Sequence, residues 1–439
     1  MAGDLPPPGG RAASLARAAA RLTTPWTYLG ILGSLQLAVL WMLRGHFGVW
    51  LPILAAAGLI AVLAFITVSR ERWRLKLWSV AALSAFTAIG PALFEIIERP
   101  RVGLTVEHDG MLQVESAIDR VLHGLPIYGV DWAGTPMASV PWGLTNGPNP
   151  ALHHLAYLPL TVLAGVPLRL LTDALGLPFD YRLVLVGFVL LGLLAIAALP
   201  LSAQRRIMLM TVLFVSPLIT LYLWSGRNDI EFLAMLLLSL ALLARGRPIL
   251  SAGALGIAVA LKPFAWPAVP LLLIVLMLRW RDRHDRRELA VSLLSLIAPS
   301  AITILPFFFA NPHAFYTDVV LYTSGGVPDA YPIEGYGFAE LLYNARVIAS
   351  RSDAFPSALF QLAAMSPILW LAGRALLRRA TARRWMAGYT SLLLAFCFFA
   401  RFFNDNYVAV VIALALCLPP LATTNLMSPA ALQPRRLAA

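Results

Sequence analysis

Residues 50–68 read WLPILAAAGLIAVLAFITV, an unbroken apolar run whose one polar side chain is the Thr67 hydroxyl. Coiled as a helix rising about 1.5 Å per residue, the run spans about 28 Å. That matches the roughly 30 Å hydrocarbon core of a bilayer. No polar stripe interrupts it, so neither an amphipathic surface helix nor a period-two strand accounts for it. In lipid every backbone N–H and C=O must be paired within the protein, which a helix achieves by itself.

The same pattern extends in both directions. Further apolar runs lie near 25–43, 77–97, 207–224, 230–244, 250–261, 264–278, 289–309, 357–377, 385–401 and 407–421. The 439-residue chain is 59% hydrophobic and 13% charged, where a soluble domain carries about a quarter charged residues. The expected fold is therefore all-α, a polytopic transmembrane helical bundle of about 12 to 13 spans whose outer-side loops carry short helices. The expected division is a cytoplasmic tail over 1–24, one transmembrane domain over 25–421 with outer loops at 98–150 and 311–356, and a second cytoplasmic tail over 422–439. The first apolar run follows a Pro/Gly/Ala/Arg-rich tail and leads straight to another span, so it reads as a retained helix rather than a cleaved leader.

The net charge is +12, but the basic residues form short clusters between spans instead of one stripe, which argues against nucleic acid and for the positive-inside bias. Arg11, Arg17 and Arg21, the stretch Arg70 to Lys76, Arg245-Gly246-Arg247, Arg279 to Arg287, Arg378 to Arg384 and Arg435-Arg436 all fit one cytoplasmic side. That orientation puts the N-terminus in the cytoplasm of a bacterial-type plasma (inner) membrane. One region resists the count. Between Pro150 and Arg205-Arg206 only two apolar runs occur, 151–171 and 183–201. Either the first, broken by Pro159 and Pro167, is re-entrant or interfacial, or the charge rule fails there. Cys397 and Cys417 read as buried thiols with no disulfide or metal spacing.

Ionisable groups near a membrane are the first places to look for chemistry. Glu107-His108-Asp109 opens the first long polar segment, followed by Gly124-Leu125-Pro126-Ile127-Tyr128 and, later, His153-His154. Two carboxylates two residues apart suit a base role or a divalent metal, though a solvated loop and helix-start charge explain them equally simply. In Ser225-Gly226-Arg227-Asn228-Asp229-Ile230-Glu231, capping accounts for the acids but not for Arg227, whose planar donors match a phosphate. Lys262-Pro263 interrupts a long apolar tract, either as a snorkelling lysine or as a cation facing a phosphate. Arg401 precedes Phe402-Phe403-Asn404-Asp405-Asn406-Tyr407. Arg227, Lys262 and Arg401 thus fall on the face that the charge count makes cation-poor, and cations kept against that bias suggest an anionic ligand.

Glu-His-Asp in the first polar segment, Gly-x-Pro-x-Tyr after it, a Gly-Arg-Asn-Asp turn and a Gly-rich span ending Ala-Leu-Lys-Pro-Phe resemble the GT-C superfamily of membrane glycosyltransferases, and within it glycosyltransferase family 87. The likeness runs from Val106 to Leu278. It departs from the family pattern in two extra spans before the acidic loop, and in His153-His154 where Tyr-Pro-Pro is more usual. The resemblance implies transfer of a sugar, mannose in the nearest group, from a polyprenyl-phosphate donor to a cell-envelope glycan or glycolipid hydroxyl on the outer face. It implies Asp109 as catalytic base assisted by Glu107, donor-phosphate contacts from Arg227, Lys262 and Arg401, and substrate contacts from Asn228, Asp229, His153, His154 and Tyr128. It implies no certain cofactor, with Glu107 as the residue that would help hold a divalent metal if one is used. The rival class is a secondary transporter of a small anionic or lipid-linked solute, for which Lys262-Pro263 would be a broken helix.

Overall fold

A computed structural model of the chain describes residues 23–69, 71–140, 149–422 and 424–427. Much of both expected tails, including Arg11, Arg17, Arg21, Arg435 and Arg436, lies outside the described residues, as does part of the first polar segment, 141–148. The bundle is formed by α1 (Pro25–Met42), α2 (Trp50–Val68), α3 (Trp73–Val102), α4 (Asp109–Leu122), α5 (Pro159–Ala174), α6 (Arg182–Ala198), α7 (Ala203–Leu223), α8 (Asp229–Ala244), α9 (Pro248–Leu261), α10 (Pro263–Arg283) and α11 (Arg286–Ala310). A second polar segment then carries the short helix α12 (Phe338–Asn344), before α13 (Ser357–Arg378), α14 (Ala382–Phe398) and α15 (Asp405–Leu416). The only strands among the described residues are β1 (Glu334–Gly335) and β2 (Phe402–Phe403), a parallel pair with Glu334 opposite Phe402.

This is the expected all-α membrane architecture. Six helices, α2, α3, α7, α10, α11 and α13, are long and apolar enough to cross a membrane; α6, α9 and α15 are apolar but shorter. The short ones pack one face against the bundle and expose apolar side chains on the other, Leu190 and Leu194 on α6, Leu250 on α9 and Ile412 on α15. Gly256 shows how closely they pack, since a Cβ there would meet the Leu296 carbonyl oxygen at 2.4 Å. A small residue lets α9 and α11 approach backbone to backbone. The Ser239 and Ser251 hydroxyls, 3.0 Å apart, join α8 to α9.

α5 resolves the stretch that the charge count left open. At its start the Thr161 hydroxyl donates to the Leu261 carbonyl at 2.9 Å, and beyond its end the Tyr181 hydroxyl donates to the Thr161 carbonyl at 2.7 Å. Midway, Arg169 pairs with Asp119 of α4 at 3.1 Å. Both ends of α5 therefore stay at one end of the bundle, against α4, and only α6 runs to the other end. Arg206 donates to the Leu199 carbonyl there at 3.1 Å, beside Arg245, which bonds the Ala198 carbonyl. Arg206 thus lies beside the basic turn at Arg245. We call that the basic end, and the opposite one, where the two polar segments meet, the loop end.

Candidate functional site

Each functional side chain is delivered by a helix terminus at the loop end. His108 is extended (φ −70°, ψ 134°) and caps α4, its Nδ1 accepting the Gly110 N–H at 3.1 Å. Its half-buried site, with Arg227 and Lys262 near, holds its pKa below the usual histidine value. A neutral ring is what an N-cap acceptor needs. Asp109 is the first helical residue, where the unpaired amides favour an anion. Its Oδ1 accepts from the Gly110 N–H at 2.7 Å and its Oδ2 from the Asn149 amide at 2.5 Å. Gly110 is required by packing, because a Cβ would fall 1.8 Å from the Tyr157 hydroxyl.

The loop is pinned to the turn before α8 by a bond from the His108 N–H to the Ser225 carbonyl at 2.8 Å. Gly226 turns there with φ +90°, and a Cβ would strike the Met111 sulfur at 2.2 Å. The following Arg227 donates to Asp405 and Asn406, both at 2.9 Å, with its guanidinium over the Tyr222 ring. Lys262 owes its position to Pro263, which cannot donate to a helix and drives its predecessor into extended backbone; Lys262 has φ −151°, ψ 135°. Its Nζ reaches Asn228 at 3.0 Å and Asp229 at 2.6 Å, and lies over the rings of Phe264 and Tyr407. Asn406 closes the set, donating to the other Asp229 oxygen at 2.6 Å.

These groups border a cavity of about 790 Å³, within the range of small-ligand sites. Of the residues singled out from sequence, Asp109, Arg227, Asn228, Lys262 and Arg401 line it; Asp229 stands behind Lys262. Arg401 differs from the other two cations. Its buried guanidinium donates to the carbonyls of Tyr331, Arg351 (2.9 Å) and Asp353 (2.6 Å), so it clasps the second polar segment.

Glu107, Tyr128, His153 and His154 do not line the cavity. Glu107 is buried, one oxygen taking the N–H groups of Thr105 (2.7 Å) and Val106 (3.1 Å), the other Arg182 at 2.9 Å. Burial alone would raise its pKa, but those amides and Arg182 hold it below the usual carboxylate range. Arg182 also bonds Asp180, and Arg99 joins Asp180 to Glu115. The Glu107–Asp109 metal pairing raised by the sequence does not form, because Glu107 is taken up in this network. Among the described residues no three His, Cys, Asp or Glu side chains come together to hold a metal. Tyr128 donates to the Tyr157 carbonyl at 2.8 Å. His153 stands exposed, 3.6 Å from exposed Asp131. His154 is buried between Asp318 (2.8 Å) and Asp329 (3.1 Å), stacked on Tyr322, and so ties the two polar segments together. Burial opposes its charge, but the two carboxylates outweigh it and raise its pKa.

Sequence reasoning missed Asn149, Tyr157, Tyr331, Glu334, Tyr336 and Asn406. Asn406 was within reach, in the Asn404-Asp405-Asn406-Tyr407 cluster. The others also depend on partners distant in sequence, Asn149 on Asp109, Tyr157 on Tyr128, Tyr331 on Arg401, and Glu334 and Tyr336 on the Phe402–Phe403 strand.

The chain matches the model of glycosyltransferase family 87 over residues 155–400, more than half its length. That span includes Tyr157, Arg227, Lys262 and Glu334 and begins after Asp109. No curated protein and no solved structure matches it. The match decides against the transporter that Lys262-Pro263 allowed: the chain is a membrane glycosyltransferase, and it belongs to glycosyltransferase family 87.

Proposed function

We propose that the enzyme transfers a sugar, mannose in this reading, from a polyprenyl-phosphate donor to a hydroxyl of a cell-envelope glycan or glycolipid. The observation that carries the reading is the single cavity in which the Asp109 carboxylate, held by Asn149, shares walls with Arg227 and Lys262. Asp109 takes the proton of the acceptor hydroxyl as that oxygen bonds to the anomeric carbon. The bond from that carbon to the phosphate oxygen breaks, and its electron pair leaves with the lipid phosphate. Preorganised cations at developing charge are a strong lever. Two of the three N–H donors of Lys262 are engaged among the described residues, leaving one for the phosphate. Because the phosphate already leaves readily, positioning outweighs covalent catalysis. Glu107 supports this as part of the scaffold under α4.

The basic clusters argue for the basic end in the cytoplasm, hence for the N-terminus there and the cavity on the outer face of a bacterial-type plasma membrane. Purified protein incubated with polyprenyl-phosphate mannose, and separately with the arabinose analogue, tests the donor. Release of lipid phosphate from the mannose donor, abolished in Asp109→Asn, is expected. Near-normal turnover in Asp109→Asn removes the base assignment; release from neither lipid donor, with turnover of a nucleotide sugar instead, overturns the donor class.

A further inference from the structure

The cavity has a second chemical character on the side away from Arg227 and Lys262, where the cations Arg351 and Arg401 are engaged by protein acceptors. Where the second polar segment closes over it, the lining is Tyr331, Glu334, Tyr336 and Gln361, with Arg351 held by Glu340 through two bonds of 2.7 Å. β1 builds this wall. Glu334 pairs in register with Phe402, and the Tyr336 N–H donates to the Phe403 carbonyl at 2.8 Å. Gly335, at φ +89°, permits that approach, because a Cβ would lie 2.2 Å from the Phe403 oxygen. The outcome is two unlike side chains fixed on one short element. Glu334 is 7% exposed and accepts the Tyr331 hydroxyl at 2.5 Å. Tyr336 is 65% exposed although its backbone is tied down.

Resting on the glycosyl-transfer reading, we infer that this wall is the acceptor subsite, and that it takes a neutral sugar: Glu334 accepts sugar hydroxyls and Tyr336 stacks on the ring. Three observations lead there. A buried carboxylate repels a phosphate, so the donor's charged end belongs with Lys262 and Arg227 and not here. A carboxylate oriented by the Tyr331 hydroxyl and the Asn404 side chain, with lone-pair sites beyond those two donors, suits a polyol. An exposed aromatic beside it offers an apolar face to the C–H side of a pyranose, at low entropic cost because its backbone is pinned. This wall and Asp109 line the same cavity. The acceptor is thus recognised by hydroxyl pattern and ring face, and the donor by charge.

Equilibrium binding separates the two halves without requiring turnover. The full-length protein in detergent is titrated with octyl mannoside, octyl glucoside, octyl galactoside and octyl phosphate, using wild type, Glu334→Gln, Tyr336→Ala and Arg227→Met, with melting temperature as the folding control. At least one octyl glycoside is expected to bind wild type and to lose about tenfold in affinity in both Glu334→Gln and Tyr336→Ala, with octyl phosphate unchanged. Arg227→Met should weaken octyl phosphate alone. Glycoside affinity unchanged in the two wall variants, octyl phosphate weakened in them equally, or no glycoside binding to folded wild type overturns the subsite. Failure of Arg227→Met to weaken octyl phosphate counts instead against the donor reading, and leaves the two failures distinguishable.

Discussion

Glu107 and Asp109 stand two residues apart, yet one is sealed among ions and the other faces a cavity. In continuous extended chain they would point the same way. The helix beginning at Asp109 separates them: Glu107 remains in the loop that folds under α4, where Arg182 meets it at 2.9 Å, and Asp109 stays at the helix mouth with Asn149. A related contrast runs among the cations lining the cavity, with Arg401 spending its N–H groups on three loop carbonyls and Arg227 and Lys262 held by side chains. A charged residue type thus says little about role here. What separates scaffold from site is whether its partners leave a donor or acceptor for something else.

The largest way to break the contrast is to open the sealed side. Arg182→Met takes from buried Glu107 its 2.9 Å cation and leaves Asp180 with Arg99 alone, and removing one partner of a buried pair costs about 3–5 kcal/mol. A sharply lower melting temperature in detergent is expected. On the cavity side, Arg227→Met should slow lipid-phosphate release about 10²–10³-fold, while its exposed partner Asp405 is rehydrated and the melting temperature moves little. Unchanged turnover there would turn Arg227 into another clasp.

His154 sharpens the comparison through pH. Its folded-state pKa is raised by Asp318 and Asp329 above the ordinary 6.5, so its contribution to stability is complete below 6.5 and is lost as pH rises through the folded-state value. Melting temperature should fall over that interval in the wild type, and His154→Gln should flatten the profile. The smallest effect belongs to its neighbour: His153→Ala removes only an exposed 3.6 Å contact, and should change stability by no more than about 0.5 kcal/mol and leave turnover unaltered.

Much of this was legible in the sequence, for a reason visible in particular residues. Apolar runs such as 50–68 report their solvent directly, so the helices followed from composition. The run 151–171 did not, because what holds α5 at the loop end is Arg169 with Asp119 and Tyr181 with Thr161, contacts that no local pattern announces. Asp109, Arg227, Asn228 and Lys262 could be singled out because each sits at a helix break with a recognisable cause, a cap or a proline. Glu107, Arg401 and His154 look identical to them in sequence, and only their distant partners show how fully their polar atoms are engaged within the protein. Glu334 was invisible since its neighbours Phe402 and Asn404 arrive from the far end of the chain.

The central claim, that the acidic triplet divides into a structural carboxylate and a catalytic one, is tested most directly by measuring melting temperature and lipid-phosphate release side by side in Glu107→Gln and Asp109→Asn. The account predicts that Asp109→Asn melts like wild type and loses turnover about 10²–10⁴-fold, whereas Glu107→Gln melts markedly lower and retains turnover in proportion to the folded fraction. A stable Glu107→Gln without turnover, beside an active Asp109→Asn, would contradict it.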